Sequence, residues 1–178
     1  MSHFSLAIIH GKNADIDEIL DPYYEGNTVA PYIIYTRDEA IKEYRQDHPN
    51  TEKSDNECWE NMAYGCIVDK NGNIYSKYNP MSKWDWYEIG GRWYNHLLLK
   101  TGEKVNSAQI KDVDFDNTKP THAVITPNGL WHEAGKMLWW GLSTASEKDT
   151  KNWEDNYYSE FLASEDQNLF ITIVDCHI

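Results

Sequence analysis

Short apolar runs separated by polar turns dominate the hydrophobic pattern of this chain. Residues 4–10 form a run rich in Ile and Leu that ends at Gly11, and residues 169–178 form a second run dense in β-branched residues. Runs of this length and composition are typical of strands that are buried on at least one face. We expect both runs, and a shorter extended segment at residues 32–35, to lie in a sheet.

The sequence predicts the start of a helix directly after the extended segment. Thr36 and Glu39 have the spacing of a capping box. The helix that follows should run from about Arg37 to His48, because Pro49 stops it. The polar residues up to Asn56 are then expected to form an exposed loop.

Two further helices are predicted from local pattern. Residues 15–20 are long enough for a brief helix, and a longer one is expected from about Asp149 to Ala163. In the longer segment Trp153, Tyr157 and Phe161 recur every four residues, which places them on one helix face.

Two Asn-Gly pairs predict β-hairpins. Asn71-Gly72 lies within residues 65–75, and Asn128-Gly129 lies within a similar segment at residues 122–133. Asn-Gly is the pair that two-residue hairpin turns favour. Each hairpin is followed by a Trp-rich segment with Gly, which fits either a structural repeat with two Trp-bearing walls around a cleft or a chance likeness.

These elements predict an α+β fold in a single domain spanning residues 1–178. A mainly antiparallel sheet would carry its helices on one face, an arrangement related to the ferredoxin-like plan, with the two similar β-hairpins included. The chain has 178 residues, of which 40% are hydrophobic, and it lacks a Pro-, Gly- or Ser-rich linker. That length is sufficient for one well-buried core.

The formal net charge of −13 narrows the range of partners. An acidic protein repels phosphate backbones and anionic membranes at long range, so general nucleic-acid binding is not expected. The three cysteines lack C-x-x-C spacing, which argues against a disulfide framework and favours a reducing compartment. Since the sequence shows neither a signal peptide nor a run of membrane-spanning length, we expect a cytoplasmic protein without membrane contact.

Aromatic rings crowd around one arginine at residues 84–97. A planar ligand could stack on these rings, while Gly-Gly backbone N–H groups and the Arg92 guanidinium could hold an anion. The alternative is that the rings anchor the core, the glycines form a turn and Arg92 pairs with Glu88. The candidate ligand-binding residues are Trp84, Trp86, Gly90, Gly91, Arg92 and Trp93, with Trp139 and Trp140 as the opposite wall.

Histidines and one aspartate are the candidates for acid–base catalysis, because an imidazole changes its charge near neutral pH. The candidates are His96, His122, His132, Asp175 and His177. Neither H-x-x-x-H, H-E-x-x-H nor C-x-x-C occurs, so we predict no metal site and no cofactor. The sequence also lacks G-x-S-x-G, P-loop and G-x-G-x-x-G motifs, which argues against hydrolases of the α/β class, NTPases, kinases and dehydrogenases.

The register of the second hairpin bears on whether two of these histidines can meet. A two-residue turn at Asn128-Gly129 would place His132 opposite Ile125, on the other face of the sheet from His122. A three-residue loop would reverse this placement. Cys176 and His177 should point to opposite faces, since neighbouring strand residues alternate.

Four segments together resemble a family of small uncharacterised proteins encoded by bacteriophages and other mobile bacterial elements. The segments are Trp-Asp-Trp-Tyr-x-Ile-Gly-Gly-Arg-Trp at 84–93, His-Ala-Val-Ile-Thr-Pro-Asn-Gly at 122–129, Trp-Trp-Gly at 139–141 and Val-Asp-Cys-His-Ile at 174–178. The resemblance spans residues 65–178 well and the N-terminal part more loosely. It implies an accessory task such as countering host defence, and it carries no established activity.

Three functions are consistent with these residues. The leading hypothesis is a phage-type accessory protein that binds and sequesters a small phosphorylated nucleotide, such as a cyclic nucleotide or an ADP-ribose-derived immune signal. The second is a hydrolase that cleaves such a nucleotide by His/Asp acid–base chemistry. The third is an acidic inhibitor that binds a host defence protein through its charge. A homo-oligomer paired through an extended segment is compatible with all three.

Overall fold

A computed structural model describes residues 2–136 and 143–178 of the chain. The predicted α+β class with mainly antiparallel sheets is confirmed. In chain order the helices and strands are β1 (His3–His10), α1 (Ile16–Leu20), β2 (Thr28–Tyr35), α2 (Arg37–Asp47), α3 (Asp55–Ala63), β3 (Ile67–Val68), β4 (Ile74–Tyr78), β5 (Trp86–Ile89), β6 (Leu97–Leu98), β7 (Lys104–Val105), β8 (Ser107–Gln109), β9 (Ala123–Ile125), β10 (Trp131–Glu133), α4 (Glu147–Phe161) and β11 (Phe170–His177). Short 3-10 turns occupy Asp21–Tyr23, Gly91–Trp93 and Ile110–Asp112.

The chain groups into two compact units. The larger unit contains residues 1–25 and 81–178, and the smaller contains residues 26–80. The sequence predicted a single domain because no linker marks these junctions: Gly26 and Pro80 stand alone rather than in a Gly- or Pro-rich stretch.

The larger unit is built on a sheet with the strand order β10-β9-β1-β11-β5, and β8 also pairs with β11. β1 and β11 are antiparallel along their whole length, with His3 opposite His177 at one end and His10 opposite Phe170 at the other. β9 is parallel to β1, whereas β5 is antiparallel to β11. The two long apolar runs of the sequence are therefore the central strands, as their composition predicted.

Both faces of this sheet are covered by apolar side chains. Tyr157 and Phe161 of α4 pack with Ile173 on one face, and Leu20 of α1 packs with Ile8 on the other. The expectation of helices on one face alone was wrong. The middle of β1 is buried on both sides, so each face needs a covering element.

The smaller unit contains a sheet with the order β2-β4-β3 and the helices α2 and α3. The capping box of Thr36 with Glu39 is present at the start of α2, as predicted. A second capping box, of Ser54 with Glu57, starts α3 inside the stretch that was expected to be a loop up to Asn56. The capping-box spacing identifies the starts of both α2 and α3, but the sequence analysis used it only for α2.

Both Asn-Gly hairpins form, with longer loops than the pair suggested. In the first, Val68 pairs with Ile74 across residues 69–73, and in the second, Ile125 pairs with Trp131 across residues 126–130. In the first loop the Asp69 carboxylate accepts hydrogen bonds from the backbone N–H groups of residues 71 and 73, which stabilises the wider turn.

Candidate functional site

The three tryptophans of the 84–97 segment have different environments. Trp84 is 9% exposed and packs in the core on the α1 side, where its indole N–H donates to the carbonyl oxygen of Leu20 at 3.1 Å. Trp93 is partly buried and packs against the core on the α4 side. Trp86 is 50% exposed. Of the three, Trp86 has the ring surface to stack on a ligand.

The backbone N–H that directly follows the Gly-Gly pair binds a carboxylate of the protein itself. The backbone N–H of Arg92 donates to Asp175 Oδ2 at 2.9 Å. Gly91 has a φ of 48°, and a Cβ placed there would lie 2.4 Å from the Cβ of Asp175. Glycine is therefore required because Asp175 fills the space beside the turn. The sequence analysis assigned these backbone groups to a ligand phosphate, whereas the Arg92 N–H binds Asp175 and the Gly90 N–H binds the carbonyl oxygen of Ile173.

The guanidinium of Arg92 remains available for other contacts. The Arg92 side chain is exposed and forms neither a hydrogen bond nor an ion pair with any described residue, so the alternative pairing with Glu88 is absent from the described part of the chain. Glu88 lies on β5 opposite Asp175 and is likewise exposed.

Two histidine–aspartate pairs lie side by side next to this turn. His3 Nδ1 is 2.8 Å from Asp175 Oδ1, and His177 Nδ1 is 2.5 Å from Asp85 Oδ1. The centroids of the two imidazole rings are 5.0 Å apart, with the ring planes at 73°. We call His3, Asp85, Asp175 and His177 the His–Asp cluster.

Strand register explains how these residues come together. His3 pairs with His177 across β1 and β11, and His177 pairs with Trp86 across β11 and β5. Paired residues share a sheet face, and so do residues two positions apart, which adds Asp175 to the same face. The edge of the Trp86 ring meets both imidazoles, at centroid distances of 6.3 Å to His3 and 6.4 Å to His177.

The hydrogen bonds of the cluster leave one nitrogen of each imidazole unused. A carboxylate on Nδ1 favours the tautomer with the proton on Nδ1, which leaves a lone pair on Nε2. His177 Nε2 is buried and has no hydrogen-bond partner among the described residues. Nε2 of His3 is likewise unbonded within the described part of the chain, and the His3 side chain is 13% exposed. A ring with an oriented Nδ1 and a free Nε2 is suited to proton transfer.

Sequence reasoning identified half of this cluster. Asp175 and His177 were among the catalytic candidates, whereas His3 and Asp85 were not. His3 can be recognised as a candidate only when β1 is known to pair with β11. Asp85 stands between Trp84 and Trp86, and of these three residues the sequence analysis considered only the two rings as ligand contacts. Bonds between residues 172 and 92 positions apart hold the cluster together.

The other histidine candidates lie outside the cluster. His96 Nε2 contacts the carbonyl oxygen of Lys119 at 2.8 Å, and the His132 ring packs 5.0 Å from Phe161. His132 pairs with Val124, which is the placement expected for the three-residue loop and not the one expected for a two-residue turn. Trp139 and Trp140, the predicted opposite wall, fall outside the described residues.

Cys176 lies on the opposite sheet face from His177, as the alternation of strand residues predicted. It packs in the core on the α1 side, and burial raises the pKa of its thiol. All three cysteines are free, and Cys176 and Cys58 are buried. A buried neutral thiol behaves as a small apolar side chain, so Cys176 does not join the His–Asp cluster.

Comparisons with known proteins found no match, so any functional argument rests on the geometry of the site. No protein-family model, curated protein or solved structure matches the chain. Within the described residues, no helix is long and apolar enough to cross a bilayer. The described residues also contain no group of three or more His, Cys, Asp or Glu side chains placed to hold a metal ion.

His122 provides a pH-dependent contribution to stability. Burial lowers the pKa of His122, and Lys83 acts in the same direction, while Glu133 and a backbone hydrogen bond with Gly135 oppose the shift. Below the ordinary value of 6.5 the unfolded chain therefore binds this proton more readily than the folded chain, so stability falls as the pH drops. We expect His122→Asn to lose less unfolding free energy than the wild type between pH 8 and pH 5, measured by urea denaturation. Equal losses in the two proteins would contradict this assignment.

Proposed function

We propose that the protein is a hydrolase of a small phosphorylated nucleotide and that the His–Asp cluster is its acid–base centre. The observation that carries the proposal is the pair of imidazoles 5.0 Å apart. Each has its Nδ1 held by a separate carboxylate and its Nε2 free of described partners. Hydrolysis needs one group that takes a proton and one that gives a proton, and two such imidazoles supply both.

The two aspartates act on the imidazoles rather than on the substrate. Each carboxylate orients one ring and stabilises the imidazolium that forms when Nε2 takes up a proton. Asp175 is 2% exposed and is itself held by the Arg92 N–H, so its position is set by the backbone. The rings are therefore preorganised before a ligand arrives, which is a common source of catalytic efficiency.

Sequestration of the same nucleotide is less well supported by the site. That hypothesis assigned the Gly-Gly turn to a ligand phosphate, and the Arg92 N–H of this turn is taken by Asp175. It also assigned stacking to Trp84, whose ring is buried in the core. What remains for a ligand is the half-exposed Trp86 ring beside the imidazoles and the exposed Arg92 side chain, which has no partner among the described residues.

Burial of His177 Nε2 adds a requirement to the proposal. A substrate can reach this atom only if a neighbouring side chain moves. Trp86 is the exposed neighbour of both imidazoles, and exposed side chains change rotamer in picoseconds to nanoseconds. We assign this movement to Trp86, which would then stack on the nucleotide base after the shift.

Product analysis distinguishes hydrolysis from sequestration. The protein is incubated with excess nucleotide from a panel of cyclic dinucleotides, cyclic mononucleotides and cyclic ADP-ribose, heated to release bound ligand, and the supernatant is separated by chromatography. We expect altered nucleotide in amounts that exceed the protein many times over. Recovery of intact nucleotide alone would remove the hydrolase proposal, and intact nucleotide retained at one equivalent or less would return sequestration to first place.

A further inference from the structure

We infer that the bond cleaved is a phosphodiester, that Arg92 holds its phosphate, and that Glu88 limits the affinity for this anionic substrate. This inference rests on the proposed hydrolase function and specifies its substrate class. It depends on three observations: both aspartates of the His–Asp cluster are already hydrogen-bonded, the Arg92 guanidinium has no partner among the described residues, and Glu88 lies on the same sheet face as the cluster.

The hydrogen bonds of the two aspartates bear on whether a glycosidic bond or a phosphodiester of the nucleotide is cleaved. Glycosidic cleavage is usually carried by two carboxyl groups that contact the sugar and the leaving group directly. Here Asp85 is bonded to His177, and Asp175 is bonded to both His3 and the Arg92 N–H. The groups with unused bonding capacity are the imidazoles, whose proton exchange suits the attack and departure of oxygens at phosphorus.

The reaction balances with water as the co-reactant. One neutral imidazole takes a proton from water through Nε2 as the water oxygen bonds to phosphorus. The phosphorus–oxygen bond to the leaving group breaks, and the second, protonated imidazole gives its Nε2 proton to the departing oxygen. The product is a phosphomonoester, and the two imidazoles end with exchanged protonation states that solvent resets.

Arg92 is suited to hold the phosphate because its guanidinium is exposed and has no described partner. Its backbone N–H binds Asp175, so the side chain begins beside the cluster and needs only a suitable rotamer to reach a phosphate there. A guanidinium matches two phosphate oxygens at once, so its contribution differs from that of a point charge.

Glu88 introduces an opposing charge on the same sheet face. It pairs with Asp175 across β5 and β11, is exposed, and forms no ion pair with a described residue. An unpaired carboxylate at this position repels a phosphate, and with a net charge of −13 it disfavours a polyanion most strongly. The site therefore favours a small nucleotide with few phosphates over a nucleic-acid strand.

Trp86 completes the substrate class. Its ring is 50% exposed and lies beside both imidazoles, so a base stacked on it would hold the attached phosphodiester near the two Nε2 atoms. Stacking on an indole is tolerant of base identity, because every base presents a π face. The inference accordingly names a nucleotide phosphodiester without choosing the base.

The test compares charge variants on substrates that differ in the bond offered. Arg92→Gln, Glu88→Gln and, as a control, Lys148→Gln on the exposed surface of α4 are assayed at low and high salt. The substrates are cyclic di-AMP and 3′,5′-cyclic AMP, which contain phosphodiesters, AMP as a phosphomonoester, and cyclic ADP-ribose, which has glycosidic bonds and a pyrophosphate but no phosphodiester. Because all four contain an N-glycosidic bond, the products are identified to show which bond was broken. Circular dichroism of the tryptophan bands confirms that each variant is folded.

We expect turnover of at least one phosphodiester, with kcat/KM lowered about tenfold or more by Arg92→Gln through loss of a charge-assisted pair. Glu88→Gln should raise kcat/KM about two- to threefold at low salt, an effect that high salt removes, while Lys148→Gln changes little. Glycosidic cleavage alone, or monoester cleavage alone, overturns this inference and leaves the hydrolase proposal standing. A phosphodiesterase that is slowed by Glu88→Gln or unaffected by Arg92→Gln also overturns it. Absence of any nucleotide cleavage removes both.

Discussion

Replacement of His177 by Asn is expected to lower kcat for hydrolysis by about 100- to 10,000-fold, the usual contribution of an acid–base group. The amide nitrogen of Asn reaches the position of Nδ1, so the hydrogen bond to Asp85 is retained while Nε2 is removed. The buried environment of residue 177, which is 8% exposed, is then disturbed as little as possible. Initial rates of product formation, measured by chromatography at saturating substrate, give the comparison.

His3→Asn should have an effect of similar size for the same reason, since its Nδ1 is bonded to Asp175. His96→Gln is the matched control: its Nε2 is bonded to the Lys119 carbonyl, and glutamine keeps a donor at that position. The cluster assignment fails if His3→Asn and His177→Asn both turn over substrate at the wild-type rate, or if His96→Gln is slowed as strongly as they are.

Replacement of Gly91 by Ala is expected to destabilise the folded chain by about 2–5 kcal/mol, because a positive-φ penalty is combined with lost hydrogen bonds to a buried charge. The added Cβ would lie 2.5 Å from Asp175 Oδ2, so this carboxylate must leave its place. Asp175 then loses the Arg92 N–H, and His3 loses the group that orients it. Urea denaturation measures the stability, and turnover should fall with it in the fraction that remains folded.

Gly102→Ala separates the displacement of Asp175 from backbone strain. Gly102 also has a positive φ, of 87°, but nothing lies within 4 Å of a Cβ placed there. We expect it to lose only about 1–2 kcal/mol, the usual penalty for a side chain in left-handed backbone. In an Asp175→Gly background, which removes the Asp175 Cβ as well as its carboxylate, the additional cost of Gly91→Ala should shrink toward the same value. If Gly91→Ala and Gly102→Ala cost the same, Asp175 does not determine the residue at position 91.

Local sequence pattern was sufficient for most of the elements. The runs at residues 4–10 and 169–178 became β1 and β11, and the residues spaced by four, Trp153, Tyr157 and Phe161, became the core-facing side of α4. These predictions succeed because strand alternation and helix periodicity depend on neighbouring residues alone. The helix α3 was within reach of the same reasoning, since Ser54 and Glu57 form the capping box that starts it.

Features that depend on how strands pair were harder to predict from the sequence. The Asn-Gly rule identified both hairpins, but the loops of residues 69–73 and 126–130 are longer than two residues. In the first loop the Asp69 side chain competes for the backbone N–H groups, a contact that the dipeptide rule does not contain. A change of one residue in loop length moves every facing side chain, and this is why the sequence left two placements open for His132, of which the structure has the pairing with Val124.

The predictions about partners remain predictions. A host defence protein as a target and a homo-oligomer are compatible with the acidic composition and with exposed strand edges. The resemblance to bacteriophage and mobile-element proteins also remains a statement about residues 65–178. Each is independent of the experiments on the His–Asp cluster, which need only the purified chain and a nucleotide.

The sequence by itself determined that this chain has two long apolar strands, a capped helix after residue 36, an acidic composition and a turn at Gly90-Gly91. Only the tertiary structure decided that the N–H after this turn binds Asp175 and that His3 lies beside His177. Backbone preferences are properties of short segments, so they can be read along the chain. The His–Asp cluster joins residues at the start of β1, before β5 and at the end of β11, and its members face one another because the pairing of these strands sets a common register.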